Sequence, residues 1–292
     1  MDESSKIGVL GASSFVGDCA IRRLRKDGRQ IVAFSRLPHN GKVEPDVTWL
    51  QLSASAAFPC DVPPIKDWLC VTPIRVLPQY FSMIEGSGAR RVVALSSTSI
   101  LAKKDSPDQG EQALVRGLHT GEQALRTWAE ARGVEWVILR PTLIYGYGRD
   151  KNVTEILHFV RRWGVFPLLG RADGLRQPVH ADDVATACIS ALTVLAAGCR
   201  TYNLSGGESL SYREMVCRVF TAIGKPPHLV TIPRLLFRLA LRVFRLLPRS
   251  RNWTPEMADR MNQDLVFDHA DATRDLRFSP RPFHLLPQDI PV

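Results

Sequence analysis

The chain has 292 residues, a formal net charge of +9 at pH 7, 45% hydrophobic residues and 23% charged residues. This composition is that of a globular protein and argues against a disordered, collagen-like or coiled-coil chain. The six cysteines show no C-x-x-C pair and no clustered His/Cys spacing, so the sequence predicts neither a metal site nor a disulfide framework.

The N-terminal segment is polar and carries no long apolar run, so no secretory signal is expected. The longest uncharged stretch, Val184 to Cys199, is shorter than the roughly 20 residues of a membrane span. A cytoplasmic protein with reduced thiols is therefore expected.

The first predicted unit is a strand, a glycine-containing turn and a helix. The apolar run at residues 7–10 precedes Gly11-Ala12-Ser13-Ser14-Phe15-Val16-Gly17, and helical apolar spacing follows. In a dinucleotide-binding fold the first glycine permits the sharp turn, the last permits close helix packing, and backbone N–H groups receive the pyrophosphate. Gly11 and Gly17 fit these roles, although Ser14 stands where the pattern usually has its middle glycine. A turn without a ligand is the alternative.

The second predicted strand, residues 30–34, bears on the choice of dinucleotide. It is followed by Ser35 and Arg36, with no Asp or Glu to bind a ribose 2′-hydroxyl. A basic residue at this place suits a 2′-phosphate. The sequence thus favours NADP over NAD, unless Arg36 is only a solvated surface residue.

Further strands are predicted at residues 68–72, 91–95 and 135–139, with a long helix at 110–132. Strands that alternate with helices imply right-handed crossovers and a doubly wound parallel sheet. Residues 1–150 are therefore predicted to form a Rossmann-type α/β domain. Residues 151–292 are predicted to form a smaller, mainly helical lobe, from which the chain returns to the sheet near residues 202–204. Its helices are predicted at residues 152–163, from a cap at Asp183 to 198, and from a capping box at Ser211 to 223.

Four segments together resemble the NAD-dependent epimerase/dehydratase family, the extended short-chain dehydrogenases. They are the turn at 11–17, the strand end Leu95-Ser96-Ser97-Thr98-Ser99, Leu139-Arg140-Pro141-Thr142-Leu143-Ile144-Tyr145-Gly146, and Gln177-Pro178-Val179-His180-Ala181-Asp182-Asp183-Val184-Ala185. The resemblance runs nearly end to end. It implies a Rossmann domain that binds a nicotinamide dinucleotide and a C-terminal lobe that often holds a nucleotide sugar.

The resemblance also implies roles for individual residues. Thr98 matches the family's catalytic Ser/Thr, which orients the substrate oxygen, and Arg176 stands where a relative contacts a sugar-nucleotide phosphate. A plain surface arginine is the alternative at Arg176. His180 and Asp183 are expected to be structural, as a hydrogen-bonded strand end and a helix cap. The implied cofactor residues are Gly11, Ser13, Ser14, Phe15, Val16 and Gly17 at the pyrophosphate, Ser35 and Arg36 at the ribose, and Thr72, Pro73, Ser96, Pro141 and Thr142 beside the cofactor.

One part of the family pattern is missing. The family's proton transfer uses Tyr-x-x-x-Lys on the helix after the fifth strand, and this helix has neither residue. Aligning Glu122 with the family's acid puts Leu114 and Leu118 in the two positions. A slip of one or two residues would bring in His119 or Thr120 instead. His119 is a candidate replacement acid/base and Tyr145 is a second candidate; for each of these two, a packing or surface role is the alternative.

Two functions follow from this departure. The first is an epimerase/dehydratase or reductase that acts on a nucleotide sugar or a similar carbonyl or alcohol with a non-standard acid/base. The second is a catalytically silent NADP-binding sensor, scaffold or assembly factor. A homodimer is possible in either case, because relatives commonly dimerise through a helical face.

The positive charge is concentrated in one segment. Residues 231–251 contain six arginines and no acid. A helix over residues 233–247 would place four of these arginines on one face and apolar residues on the rest. This predicts a helix packed on the lobe or on a partner subunit, or else an interfacial helix at the inner face of an anionic membrane. No nucleic-acid module or basic–aromatic pattern is present, so nucleic acid is not an expected partner.

Overall fold

The computed structural model describes residues 6–38, 41, 44–52, 62–194, 197–233 and 260–291. The strands are β1 (Ile7–Leu10), β2 (Ile31–Ser35), β3 (Val47–Gln51), β4 (Asp67–Cys70), β5 (Arg91–Leu95), β6 (Glu135–Pro141), β7 (Ile144–Tyr145), β8 (Phe166–Leu169), β9 (Leu175–Arg176), β10 (Val179–His180), β11 (Arg200–Leu204), β12 (Leu210–Ser211) and β13 (Leu229–Ile232). The helices are α1 (Phe15–Lys26), α2 (Phe81–Gly86), α3 (Ser99–Ala102), α4 (Gln109–Glu130), α5 (Val153–Trp163), α6 (Ala181–Thr193), α7 (Tyr212–Ala222) and α8 (Ala270–Leu276), with 3₁₀ turns at Ile74–Tyr80 and Pro287–Asp289.

Seven strands form one parallel sheet in the order β11-β6-β5-β4-β1-β2-β3. Its central strands are buried along their whole length because helices cover both faces. The strand order reverses beside β1, where Val9 lies opposite Ala33 of β2 and Leu69 of β4. Ligands of doubly wound sheets bind in the crevice beyond the carboxyl ends of the strands at such a point. The predicted α/β class is confirmed.

Helices cover the two faces of this sheet differently. On one face α1 and α6 pack together over a core that includes Ile21 and Val184. On the other face α4 and the 3₁₀ turn at Ile74–Tyr80 enclose a core that includes Trp68 and Leu125. These layers hold the carboxyl ends of the strands at one edge of the molecule.

The last strand of the sheet comes from late in the chain. In β11, Tyr202 lies opposite Leu139 of β6, which confirms the predicted return near residues 202–204. Strand β3 was not predicted, because only one of its five residues, Val47, is buried and its sequence carries no clear apolar run.

A separate core underlies the C-terminal lobe. It includes Leu157 of α5, Phe166 of β8 and Phe220 of α7, all fully or almost fully buried. The C-terminal residues pack onto this lobe through Phe283, which is 1% exposed. The division of the chain at residue 150 stays a prediction.

The N-cap of α6 differs from expectation. His180 caps the helix, since its Nδ1 accepts a hydrogen bond from Asp182 N at 3.1 Å, and the predicted cap at Asp183 is wrong. Asp183 instead accepts hydrogen bonds from the Arg281 guanidinium and backbone N–H. His180 is the hydrogen-bonded strand end that was predicted, with its Nε2 3.1 Å from Asp289 Oδ1. The predicted cap at Ser211 is confirmed.

The predicted basic helix over residues 233–247 lies outside the described residues beyond Pro233. Among the helices that the structure does describe, none has the length and apolarity needed to cross a bilayer.

Candidate functional site

The glycine turn lies at the switch point of the sheet, between β1 and α1. Gly11 has a φ of +85°, and a Cβ atom there would lie 2.8 Å from Thr72 N. A Cβ atom on Gly17 would lie 2.4 Å from the Gly11 carbonyl oxygen. Both predicted glycines are therefore required by the backbone itself. Ser14, in place of the middle glycine, caps α1 by accepting a hydrogen bond from Gly17 N at 3.1 Å.

The end of β2 is tied to this turn. Ser35 Oγ donates a hydrogen bond to Ser13 Oγ at 2.9 Å and accepts one from Leu37 N at 3.1 Å. Arg36 is exposed beside it, and its backbone carbonyl accepts a hydrogen bond from Gln51 Nε2. The loop thus presents a guanidinium, and no carboxylate at the equivalent place, next to the expected adenosine ribose.

Arg149, in the segment between β7 and α5, contacts the same turn. Its guanidinium donates hydrogen bonds to Asp18 Oδ2 at 2.9 Å and to the Ser13 carbonyl at 3.4 Å, and lies 5.6 Å from the centre of the Phe15 ring. A cation is therefore held over the loop that would receive a pyrophosphate. No motif in the sequence indicated this residue.

The hydroxyl cluster after β5 is connected to helix α4 through Ser96. Ser96 Oγ donates to Glu122 Oε1 at 2.6 Å, and Arg140 donates to both oxygens of Glu122 at 2.8 and 2.5 Å. Glu122 is 2% exposed. Burial raises its pKa, but the hydrogen bonds from Arg140 and Ser96 outweigh burial and hold the pKa below its usual range. This buried ion pair connects α4 to the ends of β5 and β6.

Thr98 is buried at the start of α3. Its hydroxyl donates a hydrogen bond to the Pro141 carbonyl at 3.1 Å, and its backbone N–H does the same at 3.1 Å. Ser97, Thr98, Ser99 and Thr142 all line one large cleft. The structure therefore brings Thr98 and Thr142 together, as the sequence predicted they would be.

Helix α4 presents no acid/base to this cleft. Leu118 is a core residue at 8% exposure and Leu114 packs against the same core. His119 lies on the exposed side of the helix, and is not among the cleft residues that the structure describes. Leu118 thus faces the core and His119 faces outward, so the position of His119 does not support the prediction that it is the acid/base.

Tyr145 is also away from the cleft. It is fully buried between His180 and Phe283, and its hydroxyl is 3.4 Å from both the carbonyl oxygen and the backbone nitrogen of His284. Burial raises the pKa of Tyr145 to about 12. Its geometry is that of a packing residue, the alternative weighed from the sequence.

The cleft runs between the Rossmann domain and the C-terminal lobe and has a volume of about 1180 Å³. Phe15 of the glycine turn lies at one end. Arg176 of β9 and Tyr212 of α7 line it on the lobe side. Cationic side chains line much of it: Lys103, Arg149, Lys151, Arg162, Arg176 and Arg260, with the acids Asp150 and Glu155.

Arg176 is the buried cation of this set, at 6% exposure. Its guanidinium donates to the Leu175 carbonyl at 2.7 Å, to the Gln263 carbonyl at 2.8 Å and to the Arg260 carbonyl. Desolvation lowers the pKa of Arg176 to about 10. The surface-arginine alternative is therefore wrong.

The chain is similar to a known protein family. Residues 79–205 match the model of the NAD dependent epimerase/dehydratase family. An uncharacterised protein, y4nG of Sinorhizobium fredii, is 28% identical over 202 residues, which cover 67% of this chain and 50% of that protein. The match thus spans only half the length of this relative.

Two further similarities cover most of both chains. A 2-alkyl-3-oxoalkanoate reductase of Stenotrophomonas maltophilia is 24% identical over 253 residues, 76% of each protein. The crystal structure of a UDP-glucuronic acid 4-epimerase from Bacillus cereus in complex with NAD superimposes with a TM-score of 0.71 and 14% identity, covering 95% of this chain and 94% of that one. At this identity the structural likeness establishes the fold.

Proposed function

We propose that this chain, an atypical member of the NAD-dependent epimerase/dehydratase family that lacks the Tyr-x-x-x-Lys motif, is a nicotinamide-dependent oxidoreductase. It would act as an epimerase, dehydratase or reductase on the carbonyl or alcohol group of an anionic substrate bound in the cleft. The relatives' names include both a UDP-sugar epimerase and an oxoalkanoate reductase. A nucleotide sugar and a related carbonyl compound are thus both candidate substrates.

One observation carries this proposal: a single cleft joins the glycine turn to a buried arginine. Phe15 at the turn, the hydroxyls of residues 97–99 and Arg176 all line it. A dinucleotide on the turn and an anion on Arg176 would therefore meet beside Thr98 and Thr142.

The residues at the turn fit a dinucleotide. The N-terminus of the twelve-residue helix α1 faces the switch-point crevice, and Arg149 supplies a cation there. Gly11, Ser13 and Phe15 would hold the pyrophosphate, Ser35 and Arg36 the ribose, and Thr142 the nicotinamide end. We propose NADP as the preferred form because Arg36 is free to face a 2′-phosphate.

When bound, the nicotinamide ring supplies a site that gives or accepts a hydride. Thr98 would orient the substrate oxygen by turning its hydroxyl from the Pro141 carbonyl towards the cleft. Arg176 would fix the substrate anion, and the buried pair of Glu122 and Arg140 would keep the strand ends in place. The proton transfer would be performed by a group other than the family's tyrosine.

A fluorescence titration with NADPH and NADH tests the first half of the proposal. We expect both to bind, NADPH more tightly. Turnover tests the second half: the chain is mixed with NAD(P)(H) and panels of nucleotide sugars and of oxo or hydroxy acids. Conversion that falls in Thr98→Val supports the enzyme, and binding of NADPH with no conversion in any panel would reject it.

A catalytically silent NADP-binding sensor or scaffold is the second candidate. The specific observation in its favour is the burial of Leu114 and Leu118, which leaves α4 without a proton donor at the family's position. The same turnover panels separate the two candidates. We also propose a cytoplasmic location, a homodimer, and contact of residues 233–247 with an anionic membrane or a partner.

A further inference from the structure

The lobe side of the cleft carries an apolar wall as well as charged and polar side chains. The wall is formed by α5, β8, α7 and the segment after residue 260, and its residues are Ile156, Phe159, Phe166, Leu169, Met215, Met261 and Leu265. Phe159 packs edge-on against Phe166 with ring centres 5.5 Å apart, so α5 and β8 meet in this wall. None of these side chains has an N–H, an O–H or an oxygen with which to pair a polar group.

This wall does not suit a nucleoside. A uracil ring or a ribose placed against it would give up hydrogen bonds to water and receive none in return, which is unfavourable. Of the polar cleft residues, Gln177 already accepts a hydrogen bond from Phe267 N through its Oε1 at 2.7 Å. A hydrocarbon chain, in contrast, would gain from leaving water.

Arg176 stands at the charged end of the same wall. A guanidinium has five N–H bonds, and the three hydrogen bonds to backbone carbonyls use both bonds of Nη1 and one of Nη2. Within the described residues, the Nε–H and the second Nη2–H have no acceptor, and no carboxylate forms a salt bridge with Arg176. Unused N–H bonds of a guanidinium can bind a carboxylate through charge-assisted hydrogen bonds.

The corner around Arg176 has an excess of positive charge. Arg260 and Lys103 share one carboxylate, that of Glu111, with Lys103 Nζ 3.0 Å from its Oε1. Asp264 acts on Arg176 only at longer range, because its Oδ1 accepts from Leu175 N at 2.8 Å. An anion bound at Arg176 would therefore offset a charge for which the described residues provide no directly paired carboxylate.

We propose that the substrate is an amphiphilic carboxylate, an oxo or hydroxy acid with a long hydrocarbon chain. Its carboxylate would bind to the Nε and Nη2 edge of Arg176, and its chain would lie along Phe159, Met215 and Leu265. This assignment rests on the proposed function, because it names the substrate class of the same cleft.

Calorimetric titration of the full chain with dodecanoate, below its micellar concentration, tests this assignment. We expect dodecanoate to bind with a negative heat-capacity change, as burial of apolar surface requires. UDP-glucose should bind at least tenfold more weakly, and dodecanol, which lacks the charge, should also lose affinity. Binding of UDP-glucose that is as tight as that of dodecanoate would overturn the assignment.

Two variants at neighbouring positions separate the cleft from the surface. Leu265 lines the cleft, whereas Val266 beside it is 44% exposed and is not among the described cleft residues. Leu265→Asn should weaken dodecanoate binding at least fivefold, and Val266→Asn should leave it unchanged. Equal effects of the two variants would show general detergent-like binding and would refute the proposal.

The arginine is tested in the same titration. Arg176→Lys keeps a positive charge but loses the two-pronged geometry, so dodecanoate should bind about tenfold more weakly while dodecanol is unaffected. Circular dichroism of Arg176→Lys and Arg176→Gln reports whether each variant folds. An unchanged affinity in a folded variant would contradict the assignment.

These results also separate this inference from the proposed function. Conversion of UDP-sugars without binding of dodecanoate would leave the oxidoreductase standing and would reject the amphiphilic substrate. Binding of dodecanoate through Arg176 without turnover in either panel would reject the oxidoreductase and would support the ligand class.

Discussion

Replacement of Glu122 by glutamine tests the buried ion pair that fixes α4 to the sheet. The carboxylate accepts hydrogen bonds from Ser96, from Arg140 twice and from Arg126 at 3.2 Å. Glutamine has the same shape but no charge, and its amide N–H₂ would face guanidinium donors. Glu122→Gln therefore isolates the charge of this group.

The magnitude follows from burial. Removing one partner of a buried pair costs about 3–5 kcal/mol because the other charge is left uncompensated. Arg140 retains 17% exposure, so water relieves part of this cost, and we expect a loss of about 3 kcal/mol in the free energy of unfolding. Urea unfolding at pH 7 measures it. The control is Glu130→Gln on the exposed side of the same helix, which should change stability by less than about 0.5 kcal/mol.

The pH dependence has a definite sign. The pKa of Glu122 is lowered by folding, because the hydrogen bonds from Arg140 and Ser96 outweigh burial. Its contribution is thus fully present above the unfolded pKa of about 4.3 and is lost as the pH falls through the lower folded pKa. The difference in unfolding free energy between wild type and Glu122→Gln should therefore shrink below about pH 4. A difference below about 1 kcal/mol at pH 7, or one that is constant down to pH 3, would refute the reasoning.

Three further predictions concern the cofactor and the cleft. Gly11→Ala should lower the free energy of unfolding by about 2 kcal/mol in urea titrations, because alanine is strained at a φ of +85° and its Cβ would press on Thr72 N; an unchanged midpoint would contradict this. Arg36→Ser should weaken the binding of NADPH about tenfold in fluorescence titrations, close to the 1.4 kcal/mol of one charge-assisted hydrogen bond, and should leave the binding of NADH unchanged. Equal losses of affinity for NADPH and NADH would exclude a contact with the 2′-phosphate. Thr98→Val should lower kcat about 100-fold in the turnover assay, which is the range for loss of one donor that orients the substrate oxygen. His119→Ala should leave kcat unchanged. A large loss of kcat in His119→Ala and none in Thr98→Val would place the acid/base on α4.

The strands were the predictable part of the fold for a physical reason. Strands buried on both faces of a parallel sheet are mostly apolar, so residues 7–10 and 92–95 were visible as short apolar runs. Strand β3 has only one buried residue, and it left no such pattern. The cap of α6 was missed because an imidazole nitrogen can accept the N–H that a carboxylate usually takes.

The candidate site was only half predictable. The glycine turn is local, and its backbone needs could be inferred from seven consecutive residues. The cationic corner depends on Lys103, Arg176 and Arg260, which are far apart in sequence and meet only in the folded chain. Which side of α4 faces the core could not be inferred either, because the buried Leu118 and the exposed His119 are consecutive residues of the helix.

The strand that closes the sheet has a consequence for how the chain is made. Strand β6 keeps an open edge, with the apolar run Val137-Ile138-Leu139, until β11 has been synthesised more than 50 residues later. An open apolar edge is a template for pairing with other chains. During translation the N-terminal part must therefore wait for residues 151–204, the first part of the lobe, before its sheet is complete. A fragment that ends at residue 150 should aggregate where the longer chain does not.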